Sequence, residues 1–219
     1  SSQFMYATGA AEEGQSLRFE DGDSAYLSWT PASAGNRKTW TFSCWVKRGN
    51  LGRKCIFGSN LSGNSDEFEF NTDDTIRWFM NGGTSLFLAT DAVHRDTSAR
   101  YHLVIACDTT QATASDRASL FVNGVKVTSF SSSVYPSLNA ENDYNSAAIH
   151  RLGAQGYSAA NFYDGYLANV CFIDGQALTP SSFGEYEDTL WKPKSDADIT
   201  SLTFGTNGFY LPFKQTTEA

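Results

Sequence analysis

Asn123-Gly124, set between Leu120-Phe-Val122 and Val125-Lys-Val127, constrains the fold more than any other dipeptide in the chain. A two-residue reversal between strands is favoured as a type I′ turn, which needs positive φ at both central residues, and Asn-Gly tolerates that. So tight a turn fixes strand register. The surrounding sequence repeats the pattern, with candidate strands at 17–19, 26–27, 40–46, 55–58, 67–70, 75–80, 85–89, 101–107, 118–122, 125–130, 148–152, 166–173 and 209–213. Gly, Asn and Asp clusters at 50–52, 60–64, 81–83 and 174–175 carry the chemistry of reversals rather than of helix caps. Many short strands at this spacing predict a sandwich or barrel. Thr179-Pro180-Ser181-Ser182 predicts one helical turn ending near Gly184, with a hydroxyl at the N-cap and proline where its missing N–H costs nothing. Most of 134–165 and 190–208 is loop-like.

A chain of 219 residues accommodates an all-β sandwich as one domain, predicted over 16–219. Residues 1–15 are small, polar and aperiodic, the composition of an N-terminal arm or linker. Aromatic residues make up 14% and charged residues 18% of the sequence, enough apolar surface for a core. A net charge of −8 without any basic run opposes nucleic-acid binding, which depends on clustered Lys and Arg. Apolar runs are strand-length, short of the roughly 18 residues of a membrane span. No charged segment followed by an apolar run opens the chain, so nothing points to export by a signal peptide.

Four cysteines occupy slots for small hydrophobes. Cys44 alternates with Trp40, Phe42 and Val46, Cys107 with Leu103 and Ile105, and Cys171 with Leu167 and Ile173, whereas Cys55 has no clear face. Their spacing suits neither zinc nor a disulfide framework, and free thiols are expected. His94, His102 and His150 show no ligand spacing and are expected to be structural. No nucleophile elbow, phosphate-cradling loop or Cys-His pattern is present.

The order of several segments resembles the concanavalin A-like lectin and glucanase superfamily, in its laminin-G-like branch. The segments are an opening strand with the acidic turn Asp21-Gly22-Asp23, the strand from Trp40 to Trp45, Tyr101-His-Leu-Val-Ile105, the Asn123-Gly124 hairpin, and Asp164-Gly-Tyr-Leu167 leading to Ala177-Leu178. The resemblance runs from about Ser16 to Phe213 and implies a jelly-roll sandwich of two antiparallel sheets. More narrowly, residues 175–184, 191–194 and 205–211 look like laminin-G-like proteins carried by tailed phages, especially marine ones.

In the glucanase relatives, carboxylates spaced two apart on one strand face flank the sugar bond. Glu67 and Glu69 have that spacing, but the next position is Asn71 and the family's longer acidic signature is missing; a solvated outer strand face explains the pair better. No catalytic residue is assigned. Many relatives carry an acidic pair where this chain has Ala168 and Asn169, which makes calcium optional; Asp21, Asp23 and Asp164 are the candidate ligands, and a plain turn also explains the first two. Tyr135, Tyr144, Tyr157 and Tyr163 lie in loop-like sequence among Asn and Ser, and serve either glycan binding or subunit contact. The resemblance therefore implies a non-enzymatic structural and adhesion protein on a phage particle, in a fibre or as a capsid decoration, assembled in the host cytoplasm. It would contact other virion proteins and host-surface polysaccharide and form a homo-oligomer, a trimer if it follows phage fibres. The alternative is a stand-alone lectin module.

Overall fold

The computed structural model describes residues 15–61 and 63–214. The predicted arm lies outside them except for Gln15. Among the described residues there are sixteen strands: β1 (Ser16–Phe19), β2 (Leu27–Trp29), β3 (Thr39–Arg48), β4 (Lys54–Asn60), β5 (Asp66–Phe70), β6 (Thr75–Met80), β7 (Leu86–Val93), β8 (Tyr101–Asp108), β9 (Ala118–Val122), β10 (Val125–Lys126), β11 (Phe130–Val134), β12 (Ile149–Leu152), β13 (Gly165–Asp174), β14 (Gly184–Glu187), β15 (Leu190–Pro193) and β16 (Phe209–Leu211). The first sheet runs β1-β13-β3-β8-β9-β10 with β16 also paired to β13, and the second runs β11-β7-β6-β5-β4-β12-β2. All of these pairings are antiparallel, the jelly-roll sandwich that the sequence predicts.

Period-two alternation builds the interface between the sheets. Trp40, Phe42, Cys44 and Val46 of β3 and Leu103, Ile105 and Cys107 of β8 face Phe57, Phe68, Phe70, Trp78 and Leu88 of the second sheet, all buried. Phe42 stacks on Phe57 at 4.4 Å, and Trp40 meets Trp78 edge-on at 5.8 Å. The outer face of the first sheet is covered as well, by a smaller cluster of Val104, Cys171, Ile173, Phe183 and Ile199. All four cysteines are free and buried, as expected.

Asn123 and Gly124 have φ of 49° and 82°, the type I′ geometry that the dipeptide predicts. A Cβ at Gly124 would also sit 2.9 Å from the Trp191 ring, so glycine answers two demands there. The candidate strand at 125–130 divides after the hairpin, with β10 in one sheet and β11 in the other. The helical turn at Pro180–Ser182 is present, starting from Thr179.

Three expectations are corrected. Cys171 does not share a face with Leu167, because a bulge between Ala168 and Cys171, with Asn169 at φ 46°, reverses the alternation. Leu167, Val170 and Phe172 therefore point inward, while Cys171 and Ile173 point to the outer cluster. The segment 190–208 is not all loop: β15 pairs with β14, and α1 (Asp196–Thr200) begins at Ser195, whose hydroxyl accepts the Asp198 N–H at 3.2 Å. Tyr144 is also no loop residue at the surface; Asp66 accepts the N–H of Asn81 at 2.7 Å and of Asp143 at 2.6 Å, drawing the segment around Tyr144 into the sandwich. Burial pushes the Asp66 carboxyl up to about 7.

Candidate functional site

Two loops and a turn meet at one end of the sandwich. The turn after β1 is closed by Ser24 N–H to the Asp21 carbonyl (3.1 Å) and Ala25 N–H to the Glu20 carbonyl (3.2 Å). Asp164 is placed beside it by the start of β13, where the Gly49 N–H donates to its carbonyl at 2.8 Å. A Cβ at Gly49 would fall 1.7 Å from Asp164 Oδ1, so glycine makes room for this carboxylate. Among the described residues, Glu20, Asp21 and Asp164 bring carboxylate oxygens within 4.8 Å of one another. Asp23, the third candidate ligand, is exposed in the turn and lies outside this group, and Glu20 takes its place.

Cations already serve the cluster. Lys54 Nζ lies 2.5 Å from Asp21 Oδ2 and the Asn50 amide donates to the same oxygen at 3.2 Å; these contacts lower the Asp21 carboxyl to about 2. Arg18 pairs with Glu20 at 2.5 Å and approaches Asp164 at 3.9 Å. Partial burial and then the charges of Glu20 and Asp21 raise the Asp164 carboxyl above its ordinary value. With one clustered oxygen each, three carboxylates fall short of the six to eight oxygens that calcium takes, and an ion bound to Asp21 would have to displace the Lys54 ammonium. The donor set is chemically suited to calcium but occupied by the protein's own cations.

Beside this turn lies an aromatic platform. Tyr26, 40% exposed, stacks on Phe162 with ring centres 6.1 Å apart and planes 28° apart. The Arg151 guanidinium sits 5.7 Å from the Tyr26 ring centre and donates to the carbonyls of Gln155 (3.1 Å) and Gly156. The loop carrying Phe162 is pinned at both ends, by Gly153 N–H to the Ile56 carbonyl and by Tyr163 N–H to the Gly153 carbonyl. Just before the second pin, the Cys55 N–H donates to the Asn161 carbonyl at 2.8 Å. Neither Tyr26 nor Phe162 is marked by a motif; they lie 136 positions apart, and only the folded chain brings them together.

The four tyrosines named from the sequence have different fates. Tyr157, at the tip of the same loop, is 63% exposed. Tyr163 is fully buried, donating to the Lys47 carbonyl at 3.0 Å and packing edge-on against Phe19. Tyr144 is fully buried too, donating to the Phe57 carbonyl at 3.1 Å and stacked on Phe57. Both are core residues, which removes them as ligand contacts. Tyr135 is half-buried at the other flank, between the edges of β10 and β11.

Glu67 and Glu69 do share the outer face of β5, but that face is not solvated. Both side chains are fully buried. Arg53 Nε donates to Glu69 at 2.8 Å, its terminal nitrogen reaches Glu67 at 3.0 Å, and Arg77 Nε donates to Glu69 at 2.7 Å. The Ser65 hydroxyl donates to Glu67. Arginines from outside the strand thus hold both acids. The histidines are structural in geometry. Trp191 Nε1–H donates to His102 Nδ1 at 3.0 Å, so the His102 proton resides on Nε2 and faces Ser43 Oγ at 2.9 Å. Burial depresses His102 to about 3 and His150 to about 4, and lowers His94.

A laminin G sequence profile of the Concanavalin A-like lectin/glucanases superfamily matches residues 21–182. No curated protein sequence matches the chain. Among solved structures, a putative carbohydrate binding protein from Bacteroides ovatus aligns with TM-score 0.54 at 12% identity, over 75% of this chain and 44% of that one. The heptameric SAP-like pentraxin of Limulus polyphemus aligns at 0.51 and 13% identity, over 70% of this chain and 71% of that one. Tailspike protein 2 of Escherichia coli O157:H7 bacteriophage CAB120 aligns at 0.50 and 10% identity, over 76% of this chain and 23% of that one. At such identities the likeness is one of fold, and the chain spans less than half the length of the Bacteroides and phage proteins.

Proposed function

Since the chain belongs to the concanavalin A-like lectin/glucanases superfamily, we propose that it is a non-enzymatic structural and adhesion component of a tailed-phage particle, in a fibre or as a capsid decoration, whose laminin-G-like domain binds host-surface glycan. The observation that carries the binding half is the stack of exposed Tyr26 on half-buried Phe162, beside Arg151 and the acidic turn. The exposed part of the Tyr26 ring suits the C–H face of a sugar ring, and the neighbouring charged and amide groups suit its hydroxyls. The same geometry argues against hydrolysis by Glu67 and Glu69, because Arg53 and Arg77 hold these carboxylates. Calcium is optional, taking Glu20, Asp21 and Asp164 in competition with Lys54.

The particle half is supported by the phage-like segments 175–184, 191–194 and 205–211 and by the fold shared with a tailspike. It places the protein at the virion surface, in contact with other virion proteins and in a homo-oligomer, a trimer in the fibre case. Mass spectrometry of purified particles tests it. The chain should be present at structural stoichiometry, and deletion of residues 1–15 should abolish incorporation while leaving the domain folded. Absence from particles, or full incorporation without the arm, would refute this half.

A further inference from the structure

We infer that the groove between β10 and β11 is a second ligand site, selective for an acidic sugar such as a uronic acid residue. It lies on the open flank where the edge strands of the two sheets part, about 270 Å³ in volume and lined by Val127, Phe130 and Tyr135 with Ser115, Thr128 and Lys126. That volume is just under the roughly 300–1,000 Å³ of drug-sized sites, which fits one sugar ring rather than an extended chain. The site is held open by the fold. Arg117 donates to the Pro136 carbonyl at 2.9 Å and to the Gln111 and Ala112 carbonyls at 2.8 Å, tying the segment beside Tyr135 to the loop that carries Ser115. Phe130 and Tyr135 pack their inner sides against the sandwich core, which fixes their ring positions before any ligand arrives.

Charge decides the class of sugar. Lys126 is exposed and has no acid partner among the described residues, unlike Lys54, Lys192 and Lys214. An exposed lysine without an acid partner, lining an aromatic-walled groove, complements a carboxylate at the edge of a pyranose, with Ser115 and Thr128 left for its hydroxyls. The inference rests on the reading of the domain as a glycan binder but uses a different surface from the Tyr26 platform.

Titration of the labelled 24.0 kDa chain with digalacturonic acid and with neutral digalactose, followed by amide NMR shifts, tests it. The acidic disaccharide should shift Lys126, Thr128 and Tyr135 and bind at least about fivefold more tightly than the neutral one. Lys126→Gln should remove that preference. Equal affinity for the two sugars, unchanged binding in Lys126→Gln, shifts confined to 20–26 and 153–164, or no shift up to about 10 mM would each overturn the proposal. Loss of glycan binding in Tyr26→Ala alone bears on the platform, not on the groove.

Discussion

Glu69→Gln should be among the most damaging single-atom-scale changes in this protein. Glu69 is fully buried and accepts from both Arg77 and Arg53, so glutamine keeps the shape but removes the charge that two guanidinium groups face. Breaking a buried ion pair by removing one partner costs roughly 3–5 kcal/mol. The Arg77 and Arg53 side chains are 19% and 30% exposed, and water reaching them relieves part of the loss, which brings the expected cost to about 2–4 kcal/mol. Glu67→Gln is the matched control two positions away. Burial, with a contribution from the Glu69 charge, raises the Glu67 carboxyl above its ordinary value. Its neutral form is thus favoured in the folded state: its contribution is fully present below about pH 4.5 and is lost as pH rises through the raised value. Glu67→Gln should therefore gain on the wild type between pH 5 and pH 8. Urea unfolding followed by tryptophan fluorescence reads both. A Glu69→Gln cost under about 0.5 kcal/mol at pH 7.5 would mean that this face is solvated and would refute the buried network.

His102 and His150 have folded values depressed below their ordinary 6.5, so their contribution is present above that pH and is lost as pH falls through about 4 and then about 3. Protonation of His102 Nδ1 removes the acceptor for Trp191, so Trp191 fluorescence should change as pH falls through about 3, and Trp191→Phe should abolish that change. Tyr144→Phe should cost about 1 kcal/mol in urea unfolding by removing the buried hydrogen bond to the Phe57 carbonyl, with glycan binding unchanged. Calcium at millimolar concentration should raise the wild-type Tm only slightly and that of Lys54→Met more, since the variant frees Asp21; calorimetry showing the reverse order would contradict the competition.

The sequence disclosed features whose cause is local. Asn123-Gly124 adopts positive φ because those two residues tolerate it whatever surrounds them, and Thr179-Pro180 starts its turn for similar reasons. Asp21 and Asp164 were legible as neighbours only through resemblance, and Glu20 was not, because alternation gives no distance across a turn. Features set by distant partners stayed hidden. Glu67 and Glu69 show the spacing of a solvated face, and the residues that bury and pair them come from the loop before β4 and from β6. Tyr144 and Tyr163 sit among Asn and Ser, yet the loops holding them turn inward because Asp66 and the Ile56 and Gly153 carbonyls bind their backbones. One residue inserted at Asn169 reverses the parity of β13, which no periodicity argument registers without the partner strand.

The central claim is that the Tyr26 platform binds glycan. The most direct test compares wild type and Tyr26→Ala on an array of bacterial surface polysaccharides, with and without calcium. Tyr26 is partly exposed, so the substitution should leave the fold intact. The account predicts binding by the wild type and a loss of roughly tenfold in the variant, the equivalent of about 1.4 kcal/mol. Undiminished binding by a folded Tyr26→Ala protein would contradict it, as would a wild type that binds no polysaccharide under either condition.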